Sequence, residues 1–278
     1  MPDYGIRPED YVEPRCLLCE EPYGAAPSVR PVPQRRIVEK MDAYMAKRDY
    51  KGAERHLLYW LEEARLGGDL RGELMLRGEL IGHYRKTGNR EGALQNVERV
   101  LSLLKEMDFE DSISAGTAFV NAATALNAFG ENERSLELFE KAEKIYESSS
   151  RTDPSLLGGL YNNMALTNAA LGRYDEAMKL YEKAVSLMRD IPGGHLEEAI
   201  TYLNMADALE KQGGMEKNEK RIFSLLDRAL DLLDRQGEVP GGYYAFVLEK
   251  CVPAFSYYGY FAAAQELSDK AEKIYAGT

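Results

Sequence analysis

Cysteine and histidine are both scarce in this chain of 278 residues, and positive charge is outnumbered by negative charge. Its three cysteines are too few for the disulfide framework of a small secreted domain, and its three histidines offer few general bases. Asp and Glu outnumber Lys and Arg by 46 to 35, which gives a net charge of −11. This acidic surplus disfavours binding to nucleic acid, whose phosphates need a basic face, and to anionic membrane surfaces.

The sequence also lacks the signals of a membrane protein, a secreted protein or a common enzyme. No apolar run reaches the roughly 18–20 residues that a membrane-spanning helix needs. The N-terminus has no apolar stretch typical of a signal peptide, so we expect a cytoplasmic protein. Motifs for phosphate-binding loops, dinucleotide-binding loops, zinc proteases and serine hydrolases are absent, so we predict neither catalysis nor a cofactor.

What the chain does contain is a segment that recurs every 42 residues or so. Its clearest copy joins a small residue, Ala165, to a glycine turn at Gly172 and a following helix that carries Tyr181 and Ala184. The preceding copy has the same arrangement 42 positions earlier, with Ala123, Gly130, Ser135, Phe139 and Ala142. Self-similarity at a fixed period indicates a solenoid, in which each unit buries its apolar face against its neighbours.

Extending this register in both directions predicts six units, each with a turn between two helices. The turns are expected at Arg48, Gly88, Gly130, Gly172, Gly213 and Gly259. The second helix of each unit has three packing positions, spaced by four and three residues and therefore on one helix face. They are Ala53/Leu57/Trp60, Ala93/Val97/Val100, Ser135/Phe139/Ala142, Ala177/Tyr181/Ala184, Ile222/Leu226/Ala229 and Ala264/Ser268/Ala271. The fifth set fits only if four residues are inserted in the turn at 213–217.

The string Gly172-x-Tyr174-x-x-Ala177-x3-Tyr181-x-x-Ala184 resembles the signature of the tetratricopeptide repeat (TPR) family. The resemblance covers residues 34–278 and implies an all-α fold, an α-solenoid of about six helix hairpins in a right-handed superhelix. The expected units are 34–67, 74–107, 116–149, 158–191, 199–236 and 245–278. The usual TPR unit has about 34 residues, and the longer period here is similar to that of kinesin light chains and bacterial peptide-receptor regulators. The surplus is expected in loops between units, at breaker signals such as Asp153-Pro154.

In a TPR solenoid the first helix of each unit lines a concave groove, and the resemblance implies that one position per unit points into it. Those positions are Glu39, Glu79, Asn121, Asn163, Asn204 and Lys250. An Asn amide has one acceptor oxygen and two donor hydrogens, so three in register suit an extended peptide backbone. Thr124, Asn127, Asn162 and Asp207 lie adjacent or one turn away and are further groove candidates. Alternatively, these Asn side chains bond the neighbouring helix or a loop between repeats.

The predicted groove is acidic at one end and basic at the other. Glu39, Asp42 and Glu79 belong to the first two units, whereas Lys250 belongs to the last. Glu79 and Lys250 would then orient a ligand, with its basic groups toward the first units and an acidic group near Lys250. Ordinary solvated charge is the alternative. We disfavour the carboxylate clamp of chaperone-binding TPR domains, because Glu39 and Glu79 stand where that pattern has neutral or basic residues.

The first 33 residues differ from the rest, because prolines at 2, 8, 14, 22, 27, 31 and 33 exclude a helix hairpin. We predict an extended arm that packs on the first units or lies in the groove of its own or a neighbouring molecule. Cys16 and Cys19 in this arm form a CxxC pair, which is half of a tetrahedral zinc site. The other possible ligands, Cys251, His56, His83 and His195, are scattered along the chain, so a zinc site would need these or a second molecule. The sequence therefore predicts no metal site, with Cys16 and Cys19 as the residues on which one would depend.

These observations favour a non-catalytic scaffold or adaptor that binds a protein or an extended peptide in its concave groove. One alternative is a signalling regulator that senses a peptide and acts on an effector in trans. A second is a zinc-binding or enzymatic role centred on Cys16 and Cys19. Homodimerisation is a further expectation, through the N-terminal arm or through the last unit, which has no capping helix after it.

Overall fold

The computed structural model describes residues 29–235 and 241–276, which form twelve α-helices and no β-strand. Taken in pairs along the chain, the helices make six hairpins. Their bounds are α1 Gln34–Ala46, α2 Tyr50–Leu66, α3 Leu70–Thr87, α4 Arg90–Glu106, α5 Ile113–Ala128, α6 Asn132–Ser148, α7 Pro154–Ala170, α8 Tyr174–Met188, α9 His195–Gly213, α10 Met215–Leu233, α11 Gly241–Tyr257 and α12 Phe261–Ala276. Within these ranges no helix is long and apolar enough to cross a membrane. Cys16, Cys19 and most of the predicted arm lie outside the described residues.

The predicted packing positions of the even-numbered helices form the core. Ala53, Ala93, Phe139, Tyr181 and Leu226 are all fully buried. Only Trp60 and Ser268 among the eighteen positions are partly exposed. Each even-numbered helix thus turns one apolar face onto the helices around it, as the spacing of four and three residues predicts.

The connections between hairpins are shorter than predicted, because the odd-numbered helices begin early. Leu70, Ile113, Pro154, His195 and Gly241 start helices three or four residues before the expected unit boundaries. Three of these helices start early because the side chain of the preceding residue accepts a hydrogen bond from a backbone amide of the first turn. Asp69 accepts from Gly72 at 2.8 Å, Ser112 from Ala115 at 3.0 Å, and Asp153 from Ser155 at 2.9 Å. Such N-caps start helices, and proline is favoured just after them, so Asp153-Pro154 opens α7 rather than breaking the chain.

The fifth hairpin corrects the predicted insertion. No four-residue loop is present at 213–217, because α9 continues to Gly213 and α10 starts at Met215. The turn is made at Gly214, which has a φ of 78° that favours glycine, rather than at Gly213. The extra residues lengthen both helices to 19 residues. The added turn of α10 is fixed by Asn218, whose Nδ2 donates to the carbonyl of Leu209 at 2.8 Å.

The odd-numbered helices lie on the inner side of the curved array. Helices α3, α5, α7, α9 and α11 pack against one another in sequence, whereas the even-numbered helices of the described residues do not pack comparably among themselves. An array whose odd-numbered helices approach more closely must curve toward them. These helices therefore form the concave surface, on which the sequence places its groove residues.

Candidate binding groove

A central cavity of about 460 Å³ lies on the concave surface and is lined by five helices, α3, α5, α7, α9 and α11. Its volume falls in the range of about 300–1,000 Å³ typical of ligand pockets. Six of the ten residues that the sequence assigns to the groove surround this cavity: Glu79, Asn121, Thr124, Asn162, Asn163 and Lys250. The repeat register therefore brings together residues that are up to 171 positions apart in the chain (79 to 250).

Three glycines within helices leave room for the central cavity. Gly78 and Gly82 lie one turn apart on α3, and Gly159 lies on α7. None of the three has a positive φ, and a Cβ added at any of them would meet no atom within 4 Å. Glycine inside a helix costs roughly 1 kcal/mol relative to alanine. Neither the backbone nor the packing of the described residues requires glycine here, and the effect of these residues is to keep the concave surface open.

The Asn side chains of the groove differ in their bonding. Asn121 and Asn163 make no side-chain hydrogen bond within the described part of the chain, so their amides face the cavity unpaired. Asn162 instead accepts from Nδ2 of Asn204 at 3.1 Å and from Oγ1 of Thr201 at 3.2 Å. The alternative of bonding to the neighbouring helix thus describes Asn162 and Asn204, which link α7 to α9.

The charged groups of the cavity are unevenly paired. Glu79 has no hydrogen bond or ion pair within the described ranges, and its pKa is raised by burial and by the nearby carboxylate of Asp42. Lys250, on α11, also has no ion pair among the described residues. Glu197, in contrast, accepts a hydrogen bond from the hydroxyl of Tyr243. The cavity therefore presents one unpaired carboxylate, from α3, and two cations without an ion pair among the described residues, Arg85 from α3 and Lys250 from α11.

A second cavity, of about 370 Å³, lies between α9 and α11 beside the central one. Asn204, Asp207 and Lys250 line it, so Lys250 borders both cavities. Asp207 is paired with Lys211 at 2.7 Å. Tyr257 and Tyr258 also line this cavity, so two adjacent tyrosines of α11 face the groove.

The remaining two predicted residues lie outside both cavities. Glu39 is exposed on α1 and pairs with Arg35 at 2.8 Å. The Nδ2 atom of Asn127 donates to Oδ1 of Asn132 at 3.1 Å, a bond within the α5–α6 hairpin. Neither side chain lines the central cavity or the one between α9 and α11.

The two ends of the array meet across the groove. Arg48, in the turn between α1 and α2, places its Nη2 atom 3.0 Å from Oε1 of Glu249 on α11. Arg48 has a φ of 54°, which lies in the left-handed region. In four of the other five hairpin turns, the residue with this conformation is the glycine that the sequence predicts. The concave surface is consequently closed at one edge by a contact between the first and last hairpins.

Sequence reasoning missed several residues that line the central cavity, among them Gly82, Arg85 and Glu197. The signal for two of them was present in the repeat. Gly82 lies 42 positions before Thr124, a predicted groove residue, and Glu197 lies seven before Asn204, on the same face of α9. A register based on a single position per helix overlooks such neighbours along the same face.

Comparison with known proteins agrees with the repeat arrangement. Residues 156–217, which include most of α7 and all of α8 and α9, match the tetratricopeptide repeat family. These residues are thus similar to tetratricopeptide repeats. The match spans the clearest copy of the sequence motif and the turn at Gly172. A search of curated proteins found no match.

Solved TPR structures share the fold. A putative kinesin light chain from Podospora anserina with nearly identical TPR-like repeats superposes with a TM-score of 0.50 at 22% identity, covering 74% of this chain and 96% of that one. NprR in complex with its cognate peptide NprX gives 0.58 at 16% identity, covering 86% of this chain and 66% of that one. PilF of Pseudomonas aeruginosa gives 0.50 at 14% identity, covering 88% and 93%. These similarities establish an all-α TPR solenoid as the fold of this protein.

The described residues contain no group of three or more His, Cys, Asp or Glu side chains that could hold a metal ion. Cys251, the cysteine within these residues, is buried in α11, and burial raises the pKa of its thiol to about 12. A thiol in this setting stays protonated at neutral pH and is a poor nucleophile.

Proposed function

We propose that this protein is a non-catalytic cytoplasmic scaffold that binds an extended peptide segment of a partner in its concave groove. The observation that carries the proposal is the central cavity, in which the unpaired amides of Asn121 and Asn163 face open space across α5 and α7. An amide can accept from a backbone N–H and donate to a backbone carbonyl at once, so it binds a peptide whatever its side chains. The peptide in the NprR structure is a precedent in the same fold.

The charges of the cavity give the bound segment a direction. Glu79 on α3 favours a basic group of the ligand, whereas Lys250 on α11, together with Arg85 on α3, favours acidic groups. Each hydrogen bond from an Asn side-chain amide to the peptide contributes only about 0.5–1.5 kcal/mol net. The hydrogen bonds of Asn121 and Asn163 hold a peptide without selecting its sequence, so the charged side chains supply the orientation.

Selection of binders from a displayed library of random decapeptides tests this proposal. Immobilised wild-type protein is expected to enrich peptides that the double variant Asn121→Ala/Asn163→Ala fails to retain. This double variant leaves the bond between Asn162 and Asn204 intact, so its helicity and melting temperature should match the wild type. The matched control is Gln95→Ala/Gln265→Ala, which removes two exposed amides from even-numbered helices. Retention of the same peptides by the Asn121→Ala/Asn163→Ala variant would place recognition outside the groove.

A further inference from the structure

The cavity between α9 and α11, here named the α9–α11 pocket, has an apolar floor beneath a polar rim. Ile200 and Leu203 from α9 and Cys251 and Ala254 from α11 form the floor, and the first three are nearly completely buried. The rim carries the polar residues of the pocket lining: Lys250, Asn204, Asp207, Tyr257 and Tyr258. A floor of this kind removes an apolar side chain of the ligand from water, and this favours binding of a large residue.

The acidic groups around the α9–α11 pocket already have donors. Asp207 is bound by Lys211, as described above. Glu210 accepts from the hydroxyls of both Tyr257 and Tyr258, each at 2.9 Å. Glu197, at the border of the central cavity, accepts from Tyr243.

Lys250, unlike these acidic groups, has no partner of opposite charge among the described residues. It is the one charged residue shared by both cavities, and no carboxylate of the described residues lies within ion-pair distance of it. The charge left unmatched around the α9–α11 pocket is therefore positive. A ligand that complements the pocket needs an anionic group at the rim and an apolar group in the floor.

Aromatic side chains extend this apolar surface toward the groove. Tyr257 is 71% exposed and Phe246 is 47% exposed, although both are large apolar residues on α11. Their positions share one face of α11 with Lys250, since 246, 250 and 257 are spaced by four and seven residues. Pro253 lies on the same face and in the pocket lining. The last odd-numbered helix thus differs from α5 and α7, whose groove positions are small or neutral.

We infer that the α9–α11 pocket is the specificity site of the groove and takes a large apolar side chain, Leu, Met or Phe, next to an acidic residue that pairs with Lys250. This inference rests on the proposed function, because it assigns a sequence preference to the peptide that the Asn amides hold. The partner segment is an extended stretch with an acidic residue one or two positions from a large apolar one. Acidic and apolar groups so close together bind the rim and the floor at once.

The decapeptide selection, repeated on two pocket variants, tests the inference. Lys250→Glu is expected to replace the acidic preference with a basic one and to weaken binding of the wild-type-selected peptides at least about tenfold, as loss of a charged hydrogen bond does. Ala254→Phe fills the floor and is expected to abolish the preference for a large apolar residue. Lys220→Glu and Ala262→Phe, which make the same changes on the exposed surfaces of α10 and α12, should retain the wild-type preference.

The possible outcomes separate the inference from the proposal beneath it. The inference is supported if the wild type selects peptides with an acidic residue near a large apolar one and each pocket variant loses the corresponding preference. Peptides that depend on Asn121 and Asn163 but show no such pair, or keep it in both pocket variants, overturn it and leave the groove function standing. Recovery of no binder from the wild-type protein overturns both. Circular dichroism identifies a misfolded Ala254→Phe, in which case Lys250→Glu, at an exposed residue, decides alone.

Discussion

The Nδ2 atom of Asn204 donates to Oδ1 of Asn162 at 3.1 Å, and this bond links α9 to α7 across 42 residues of sequence. Asn204 and Asn163 occupy the same register position in consecutive units, yet only Asn204 is bonded to a neighbouring helix. Residue identity within a repeat therefore does not fix a residue's role. The amide of Asn204 links two helices of the groove, whereas those of Asn121 and Asn163 have no such bond among the described residues.

This difference in bonding predicts that one Asn→Ala substitution lowers stability and that a similar one lowers peptide binding. Asn204→Ala is expected to lower the free energy of unfolding by about 0.5–1.5 kcal/mol, because it removes a partly buried hydrogen bond. Asn121→Ala, at an exposed position, should change it by less than about 0.5 kcal/mol but weaken peptide binding. Urea unfolding gives the first quantity and fluorescence anisotropy with a selected peptide gives the second. Equal stabilities of the two variants would contradict the structural role of Asn204.

Gly78 and Gly82 allow stability and binding to be separated. Alanine at either position is expected to raise the free energy of unfolding by about 0.4–1 kcal/mol, since the added Cβ meets nothing and the unfolded chain loses freedom. Leucine at both positions fills the central cavity and should abolish peptide binding in a protein that remains folded. Thermal unfolding and peptide anisotropy measure the two effects.

Gly116→Ala is the matched control for these substitutions, because it is also a glycine inside an odd-numbered helix. A Cβ there would lie 2.5 Å from Cε1 of the buried Tyr146, so this variant should be destabilised. If Gly78→Leu/Gly82→Leu still bound peptide with wild-type affinity, the central cavity would not be the binding site.

How much of this arrangement follows from sequence depends on whether a feature repeats. The turn at Gly172 and the core positions Ala177 and Tyr181 recur in register, and their burial followed directly from the period. The position of the fifth turn did not follow from the period, because either glycine of the pair Gly213-Gly214 could make the turn. The hydrogen bond from Asn218 to α9 decides between these two registers. Local spacing cannot reveal such a contact.

The groove shows the same limit. Six residues that line its central cavity were predicted from the register, whereas others such as Arg85 were missed. The bonding partners were not predictable, since the bond from Asn204 to Asn162 and the contact between Arg48 and Glu249 join different units. The α9–α11 pocket also needs the packing of two helices whose turns are 45 residues apart, from Gly214 to Gly259. Sequence periodicity predicts which face a residue occupies, and only the assembled array shows what lies opposite it.

Glu79 predicts a pH dependence of stability. Burial, and secondly the carboxylate of Asp42, raise the pKa of Glu79 above its usual 4.5. A carboxyl group whose pKa is raised by folding binds protons more tightly in the folded state, so stability falls as pH rises through the folded pKa. Glu79→Gln should therefore be more stable than wild type at pH 7, with the difference vanishing below about pH 4.

Urea unfolding of Glu79→Gln and wild type between pH 3.5 and 7.5 measures this difference. Glu39→Gln is the matched control, because Glu39 is an exposed carboxylate beside Arg35. Its removal should not stabilise the protein at any pH in this range. A Glu79→Gln variant less stable than wild type at pH 7 would mean that the Glu79 carboxylate has a stabilising partner.

The contact between Arg48 and Glu249 predicts a change of shape with little change of stability. Both side chains are largely exposed, so the pair contributes at most about 1 kcal/mol. Its geometric effect is larger, since it joins the first hairpin to the last. Arg48→Glu is expected to increase the radius of gyration in small-angle X-ray scattering, because two carboxylates would repel where the ends meet. The melting temperature should change by only a few degrees.

Charge reversal provides the control for this prediction. The double variant Arg48→Glu/Glu249→Arg restores opposite charges across the same gap and should return the radius of gyration to the wild-type value. Arg35→Glu changes the net charge equally but breaks only the pair with Glu39 inside α1, so it should leave the shape unchanged. Because screening weakens exposed ion pairs, 1 M salt should expand the wild type toward Arg48→Glu. Identical scattering curves for wild type and Arg48→Glu would show that packing between hairpins, rather than this pair, sets the curvature.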